Sequence, residues 1–309
     1  MKLYKYLSLE LGAKLLQTPM LRLSNQTSLN DPFEFLLTES SSKKVSDILK
    51  RSKGNNYSHV DLIDTFWTHG VISLTETNDN LLMWSHYADE HKGMVVGFDV
   101  PIERPFDFFL DGQQPEGSHF AKVNYRKYRK FDGDINANNL DTVRLHYMLG
   151  KSDEWIYEKE HRFVIPFYCA DVLLINSTNE LYDKSLEVLG LSKGNLAHVD
   201  DMTIIDLRVH EIPKRALFNV WLLSSHNSAI FLKIINPEVI KTVFLGKGIE
   251  TTSLHNFFKG LPSKEIKDNF FIENEDTISI KNVFQASLDR DRYELKFDAR
   301  SLSLLDYIR

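Results

Sequence analysis

The segment that most constrains this chain is Tyr157-Glu158-Lys159-Glu160-His161-Arg162, which runs straight into Phe163-Val164-Ile165 with no turn signal between them. An apolar run of that length, ending near Cys169, reads as a strand over Glu160–Cys169, and Pro166 puts it at a sheet edge or at its own end. If the strand begins early, Glu158, Glu160 and Arg162 share one face, because strand side chains alternate with a period of two. The carboxylates then stand at the boundary of a core. Two carboxylates so close raise the proton affinity of one of them, while Arg162 pulls the other way. Such a set suits acid–base or cation-stabilising chemistry. The competing reading is a solvated, salt-bridged strand edge, which is what charge runs usually are.

A second strand, Val71-Ile72-Ser73-Leu74-Thr75, puts two hydroxyls on one face. They would brace a carboxylate or hold a ribose; the plainer alternative is a polar strand end. The helical pattern of Asn80–His91 follows, with Trp84 and Tyr87 three residues apart as an aromatic wall or as core. The two segments Val71–His91 and Trp155–Pro166 are expected to meet, and any chemistry to sit at their junction.

Around this pair the periodicity predicts a strand at Leu3–Leu7, a helix at Leu9–Gln17 capped by Ser8, and strands at Met20–Leu23, Met94–Val100 and Ala121–Tyr128. Helices are predicted over Lys43–Arg51, His59–His69, Leu140–Leu149 and Asn176–Gly190. Later strands are expected at Met202–Val209, Ala229–Ile235 and Thr242–Leu245, with hairpin strands over Asn269–Ile278 and Tyr293–Phe297. No internal repeat is evident.

Composition narrows the function classes. With 42% hydrophobic and 26% charged residues, the 309-residue chain can build a packed core. A net charge of −6 argues against whole-surface attraction to nucleic acid or membrane and leaves room for a local basic patch. The one cysteine, Cys169, excludes an internal disulfide and a cysteine zinc cluster. Met1–Tyr6 offers no apolar stretch of signal-peptide length, and no run approaches about 18 apolar residues, so a cytoplasmic protein without a membrane partner is expected. Phosphate-cradle, dinucleotide-fold and nucleophile-elbow motifs are missing; Gly246-Lys247-Gly248 lacks the rest of a cradle.

One basic stretch remains. Tyr125, Arg126, Lys127, Arg129 and Lys130 interleave cations with tyrosine, offering phosphate contacts and stacking surfaces for unpaired bases. A solvated hairpin is the alternative. A metal-dependent nuclease built on Asp31, Glu34, His86 and His91 is disfavoured, because histidines five apart do not share a helical face. No metal is expected.

Leu3-Tyr4-Lys5-Tyr6, Asn30-Asp31-Pro32-Phe33-Glu34, Leu82-Met83-Trp84-Ser85-His86-Tyr87-Ala88 and Trp155-x-Tyr157-Glu158-x-Glu160-x-Arg162 together resemble a bacterial family of unassigned function. The likeness runs over Met1–Cys169 and then only through Asn236–Ile240 and Gly246. More distantly, the order of elements is similar to the ADP-ribosyltransferase toxins, which carry a polar residue on the first strand, a Ser-Thr-Ser-like strand, an aromatic on the next helix and a late Glu-x-Glu. That resemblance implies an α+β fold with a split mixed or antiparallel sheet and flanking helices. It places a catalytic core at residues 1–170 and a C-terminal α/β elaboration of the same unit at 171–309. It further implies an effector of toxin or phage-defence type that moves ADP-ribose from NAD to a macromolecular acceptor. Glu160 and Glu158 would be catalytic, and Tyr4, Lys5, Tyr6, Ser73, Thr75, Trp84 and Tyr87 would hold NAD. The Tyr125–Lys130 patch would meet a nucleic-acid or protein acceptor, and an antitoxin or regulatory partner is implied. The sequence lacks the usual first-strand Arg or His, and Ser73-Leu74-Thr75 is not a true Ser-Thr-Ser. A nucleotide or nucleic-acid binding module without chemistry is the alternative.

Overall fold

The computed structural model describes residues 1–53, 67–224, 228–247, 249, 270–274 and 277–299. Numbered along the chain, the strands are β1 (Lys2–Leu7), β2 (Met20–Arg22), β3 (His69–Thr75), β4 (Met94–Asp99), β5 (His119–Lys122), β6 (Asn124–Arg126), β7 (Gly150–Ser152), β8 (Glu160–Pro166) and β9 (Val172–Asn176). They continue as β10 (Ala197–Val199), β11 (Met202–Asp206), β12 (Ala229–Ile234), β13 (Ile240–Leu245), β14 (Phe271–Asn274), β15 (Thr277–Ile280), β16 (Val283–Leu288) and β17 (Leu295–Ala299). The α-helices that bear on the packing are α1 (Leu9–Gln17), α2 (Glu39–Lys53), α3 (Leu81–Tyr87), α4 (Leu140–Met148), α5 (Tyr182–Leu189) and α6 (Lys214–Leu223).

Eight strands form one sheet in the order β17-β16-β13-β4-β1-β3-β8-β5, and five form a second in the order β10-β11-β9-β12-β2. The first is mixed: β13 and β16 run parallel, while its other pairs are antiparallel. The architecture is α+β. Strands from both sides of residue 170 enter both sheets, and the main core joins Leu3, Leu74, Val96 and Phe163 to Leu173, Trp221 and Phe231.

Local chemistry accounts for much of this. The Ser8 hydroxyl accepts from the Leu11 amide at 3.3 Å, which starts α1, and Leu15 and Leu16 are buried one turn on. The Asn80 side chain accepts from the Met83 amide at 3.1 Å and starts α3. That helix stops at Tyr87 instead of continuing to His91, because Asp89, Glu90 and His91 all take left-handed backbone with φ of 47°, 51° and 68°. The chain thereby reverses sharply into β4.

The expected strand Ala121–Tyr128 is two strands. β5 pairs with β8 as far as Lys122 opposite His161, and β6 pairs in parallel with β7. Between them the Val123 amide bonds the Glu160 carbonyl and the Asn124 amide bonds the Leu149 carbonyl, so the chain changes partners at one residue. The helix expected over Asn176–Gly190 is shorter and follows β9; Gly190, in left-handed backbone, closes it. Helix α6 is an element that the periodicity did not announce. The helix expected over His59–His69 lies outside the described residues apart from its last three positions, where β3 begins at His69.

One feature of the larger sheet positions the site. β1 pairs with β4 along six residues and β3 with β8 along seven, yet β1 and β3 meet only where Tyr4 lies opposite Thr75. Further along, the edge of β3 is taken by Ser24, which exchanges both backbone hydrogen bonds with Val71 at 2.9 Å. The sheet is therefore parted between β1 and β3, with Ser73 at the gap.

Candidate active site

A cavity of about 240 Å³ occupies the parting. Tyr4, Lys5 and Tyr6 line it from β1, and Ser73, Leu74 and Thr75 from β3. Glu158, Glu160, Arg162 and Lys151 line it from the β7–β8 region, while Ser24, Asn30 and Glu34 come from the segment after β2. Lys5 spans the gap, its Nζ donating to the Ser73 carbonyl at 2.8 Å, and so satisfies a backbone oxygen that β1 leaves unpaired.

Beneath this lies a buried charge network. Ser73 pairs with Arg162, and Thr75 with Glu160, across the β3–β8 ladder, so all four side chains issue from one face. Arg162 has no exposed surface. Its Nε donates to Glu160 Oε1 at 2.7 Å and its Nη2 to Glu160 Oε2 at 2.9 Å, a bidentate clamp. The same guanidinium donates to Glu34 Oε1 and, at 2.7 Å, to the Met148 carbonyl. Lys151 Nζ reaches Glu158 Oε2 at 2.5 Å and Glu160 Oε2 at 3.5 Å. Three carboxylates, from Glu34, Glu158 and Glu160, thus face three cations, from Lys5, Lys151 and Arg162.

The titration behaviour follows from that geometry. Burial alone would raise the Glu160 carboxyl, but Arg162 and Lys151, with a hydrogen bond from the Ser73 hydroxyl, outweigh it and hold the group at about 2. Burial would lower Lys151, yet Glu160, Glu34 and Glu158 push it up. At Glu34 burial prevails and raises the carboxyl despite Arg162 and Lys151. At Lys5 burial also prevails and lowers the ammonium. Glu160 is therefore ionised throughout the physiological range, as charge stabilisation requires and proton exchange does not.

Several expected residues arrive by unexpected routes. Glu158 is not on the strand: it ends a 3₁₀ helix over Asp153–Glu158, and Lys159, in left-handed backbone with φ of 44°, separates it from β8. Its carboxylate still reaches the cavity, where the Tyr87 hydroxyl donates to Oε1 at 2.6 Å. Burial, and then Glu158 itself, push that phenol well above its ordinary value. Thr75 braces the backbone and not a carboxylate, for its hydroxyl donates to the Glu158 carbonyl at 2.5 Å. Trp84, expected at the ligand, is fully buried away from the cavity; it packs edge-on to Tyr6 and donates Nε1 to the Asn78 carbonyl at 2.9 Å.

The basic stretch divides as well. Tyr125 turns inward, its hydroxyl accepting from the Glu160 amide at 2.8 Å. Arg126, Lys127 and Arg129 line a second cavity of about 200 Å³ that shares Glu34 and Lys151 with the first. Lys130 is exposed and lines neither of the two cavities.

Sequence reasoning overlooked Lys151 and gave Glu34 no part in this cleft. A lone lysine in Gly150-Lys151-Ser152 carries no signal. For Glu34 there was one: the Asp31 carboxylate accepts from the Phe33 amide at 2.9 Å, so the Asn-Asp-Pro turn aims the glutamate inward. Asp31, Glu34, His86 and His91 form no metal site. Glu34 is committed to Arg162, the His91 ring stacks on Trp84, and no cluster of three or more metal-ligating side chains exists among the described residues.

A family described as a protein of unknown function (DUF2971) matches residues 83–163. That stretch opens at Met83 in the Met-Trp-Ser-His-Tyr-Ala box and carries Tyr87, Lys151, Glu158, Glu160 and Arg162, whereas Glu34, Ser73 and the Asn-Asp-Pro-Phe-Glu box lie outside it. No curated protein and no solved structure matches the chain. Among the described residues no helix is long and apolar enough to cross a membrane.

Proposed function

We propose that the cleft between β1 and β3 is the active site of an ADP-ribosyltransferase-like enzyme that takes NAD as substrate and a macromolecule as acceptor. The observation that carries this reading is the Glu160 carboxylate, fixed in ionised form beside the Ser73 hydroxyl, lining a cavity that the parted sheet opens. Cleaving the ribose–nicotinamide bond builds positive charge on the sugar, a state akin to that of glycoside cleavage. A carboxylate clamped by Arg162 opposes that charge without reorganising.

The other residues take roles to match. Pockets for drug-sized ligands begin near about 300 Å³, so a cavity of about 240 Å³ takes only the nicotinamide-ribose half of a dinucleotide. Tyr87 offers the ring an aromatic surface while its hydroxyl orients Glu158. Glu158, whose carboxylate is reached by Tyr87 and Lys151, is the group to orient the acceptor and receive its proton. Lys5 supplies the first-strand polar group in place of the missing Arg or His. A toxin or phage-defence role, and a regulatory partner, follow only from the distant resemblance.

The test uses the intact chain with NAD labelled on the adenylate and a cell extract. Transfer of label by wild type, lost at least a hundredfold in Glu160→Gln and reduced in Ser73→Ala, supports the proposal. Transfer that persists unchanged in Glu160→Gln overturns it. A second reading, a nucleotide-binding module without turnover, is favoured by the saturation of both Glu160 oxygens by Arg162 and Lys151. Saturable NAD binding with no label transfer selects it.

A further inference from the structure

The second cavity is lined by three kinds of group from residues that do not line the first. Arg126, Lys127 and Arg129 line it. Arg126 touches His146 Nδ1 at 3.4 Å, and Arg129 donates one bond to the Leu36 carbonyl at 3.1 Å, but a guanidinium carries five N–H donors. Among the described residues no carboxylate pairs with any of these three cations. Lining the same cavity is Asp31, 4% exposed; its Oδ1 accepts from the Phe33 amide, while its Oδ2 is buried with no hydrogen-bond partner among the described residues. A buried carboxylate oxygen left so is costly, and a ligand that donates a hydrogen bond removes the cost. Phe33 adds an aromatic surface, 58% exposed, with the Arg129 guanidinium 5.3 Å from its centroid.

Cations, one buried acceptor and an exposed ring together fit a single ligand chemistry. We propose that this cavity binds one nucleotide unit of single-stranded RNA. Arg126, Lys127 and Arg129 take the backbone phosphate, Asp31 Oδ2 accepts from the ribose 2′-hydroxyl, and Phe33 meets the base. A phosphodiester-linked deoxyribose has no hydroxyl to offer Asp31, so the site distinguishes RNA from DNA. An acidic peptide would satisfy the cations but would leave the exposed ring without a base. The cavities share the Glu34–Lys151 wall, so RNA held here lies beside Glu158 and Glu160. Its role as ADP-ribose acceptor rests on the transferase reading; its binding does not.

The experiment is therefore run without NAD. A fluorescent ten-nucleotide oligouridylate is titrated with the intact chain at low salt and followed by anisotropy. The same-length oligothymidylate is titrated in parallel. Wild type is expected to bind the RNA at least fivefold more tightly than the DNA, with affinity falling as salt rises. Arg126→Glu/Arg129→Glu should weaken RNA binding at least tenfold. In Asp31→Ala the ratio of RNA to DNA affinity should fall to about one, and a ratio is insensitive to a modest loss of folded protein. Equal binding of RNA and DNA by wild type, or RNA binding unchanged in the double charge reversal, overturns the proposal. RNA binding with no label transferred to it once NAD is added removes the RNA as acceptor and leaves the RNA site standing, while the transferase reading is decided by the extract experiment.

Discussion

At the scale of single residues, Arg162 and Glu160 set the behaviour of the site. Arg162 is enclosed by β8 and its neighbours and joins two buried glutamates. Breaking a buried pair from one side costs about 3–5 kcal/mol, because the partner charge is left alone in low dielectric. Arg162→Met should therefore destabilise the chain by that amount in equilibrium denaturation. Replacing Glu160 and Arg162 together, with Leu and Met, should recover much of it, since Glu34 and Glu158 then still face Lys151 and Lys5 in equal number. The pH dependence has a definite sign. The folded carboxyl of Glu160 titrates at about 2, below its ordinary value, so its contribution is complete above the unfolded value and is lost as pH falls through that window. Wild type should lose stability from roughly pH 4.5 downwards. Glu160→Gln should be less stable at pH 7 and flatter across the same range in urea titrations.

At the scale of elements, the tight reversal from α3 into β4 carries the cleft's aromatic, Tyr87. A Cβ on Gly93 would lie 2.2 Å from the Leu7 carbonyl oxygen and 2.8 Å from the Ala88 carbonyl carbon, both backbone atoms. Gly93→Ala should cost about 1–3 kcal/mol by overpacking, measured by thermal or chemical unfolding; an unchanged midpoint would mean the loop yields freely. The strands that carry the site were legible. Ser73 and Thr75 alternate, the charged run opens β8, and the pairing of β3 with β8 brings the two together. The 3₁₀ turn that removes Glu158 from the strand was not legible, because it depends on left-handed backbone at Lys159, a residue type with no preference for it. Neither was Lys151 on its three-residue strand, whose importance comes wholly from its neighbours.

At the scale of the whole molecule, the two sheets are woven from both ends of the chain. β2 pairs with β12, and β13 pairs with β4, so the region before residue 170 supplies partners to the region after it. A fragment of residues 1–170 would expose the β4 edge and strip half of the main core. It should lack a cooperative unfolding transition and show weak near-ultraviolet circular dichroism, and a sharp transition in that fragment would contradict the interdependence. The parting of β1 from β3 belongs to this scale too. Ser24, arriving from the second sheet, takes the edge of β3 that β1 abandons.

The sequence alone determined most of the alternating strands, the Ser8-capped start of α1, the face shared by Ser73 and Thr75 and that shared by Glu160 and Arg162, and the local basic stretch, because each rests on periodicity or on contacts within a few residues. Only the tertiary structure decided that the sheet splits at Ser73, that Glu34 and Lys151 complete the charge network, and that Arg126, Lys127 and Arg129 face a cavity while Tyr125 supports Glu160. Those outcomes depend on desolvation and on partners more than a hundred residues apart in the case of Glu34 and Arg162, and no local pattern encodes the dielectric in which a charge will finally sit.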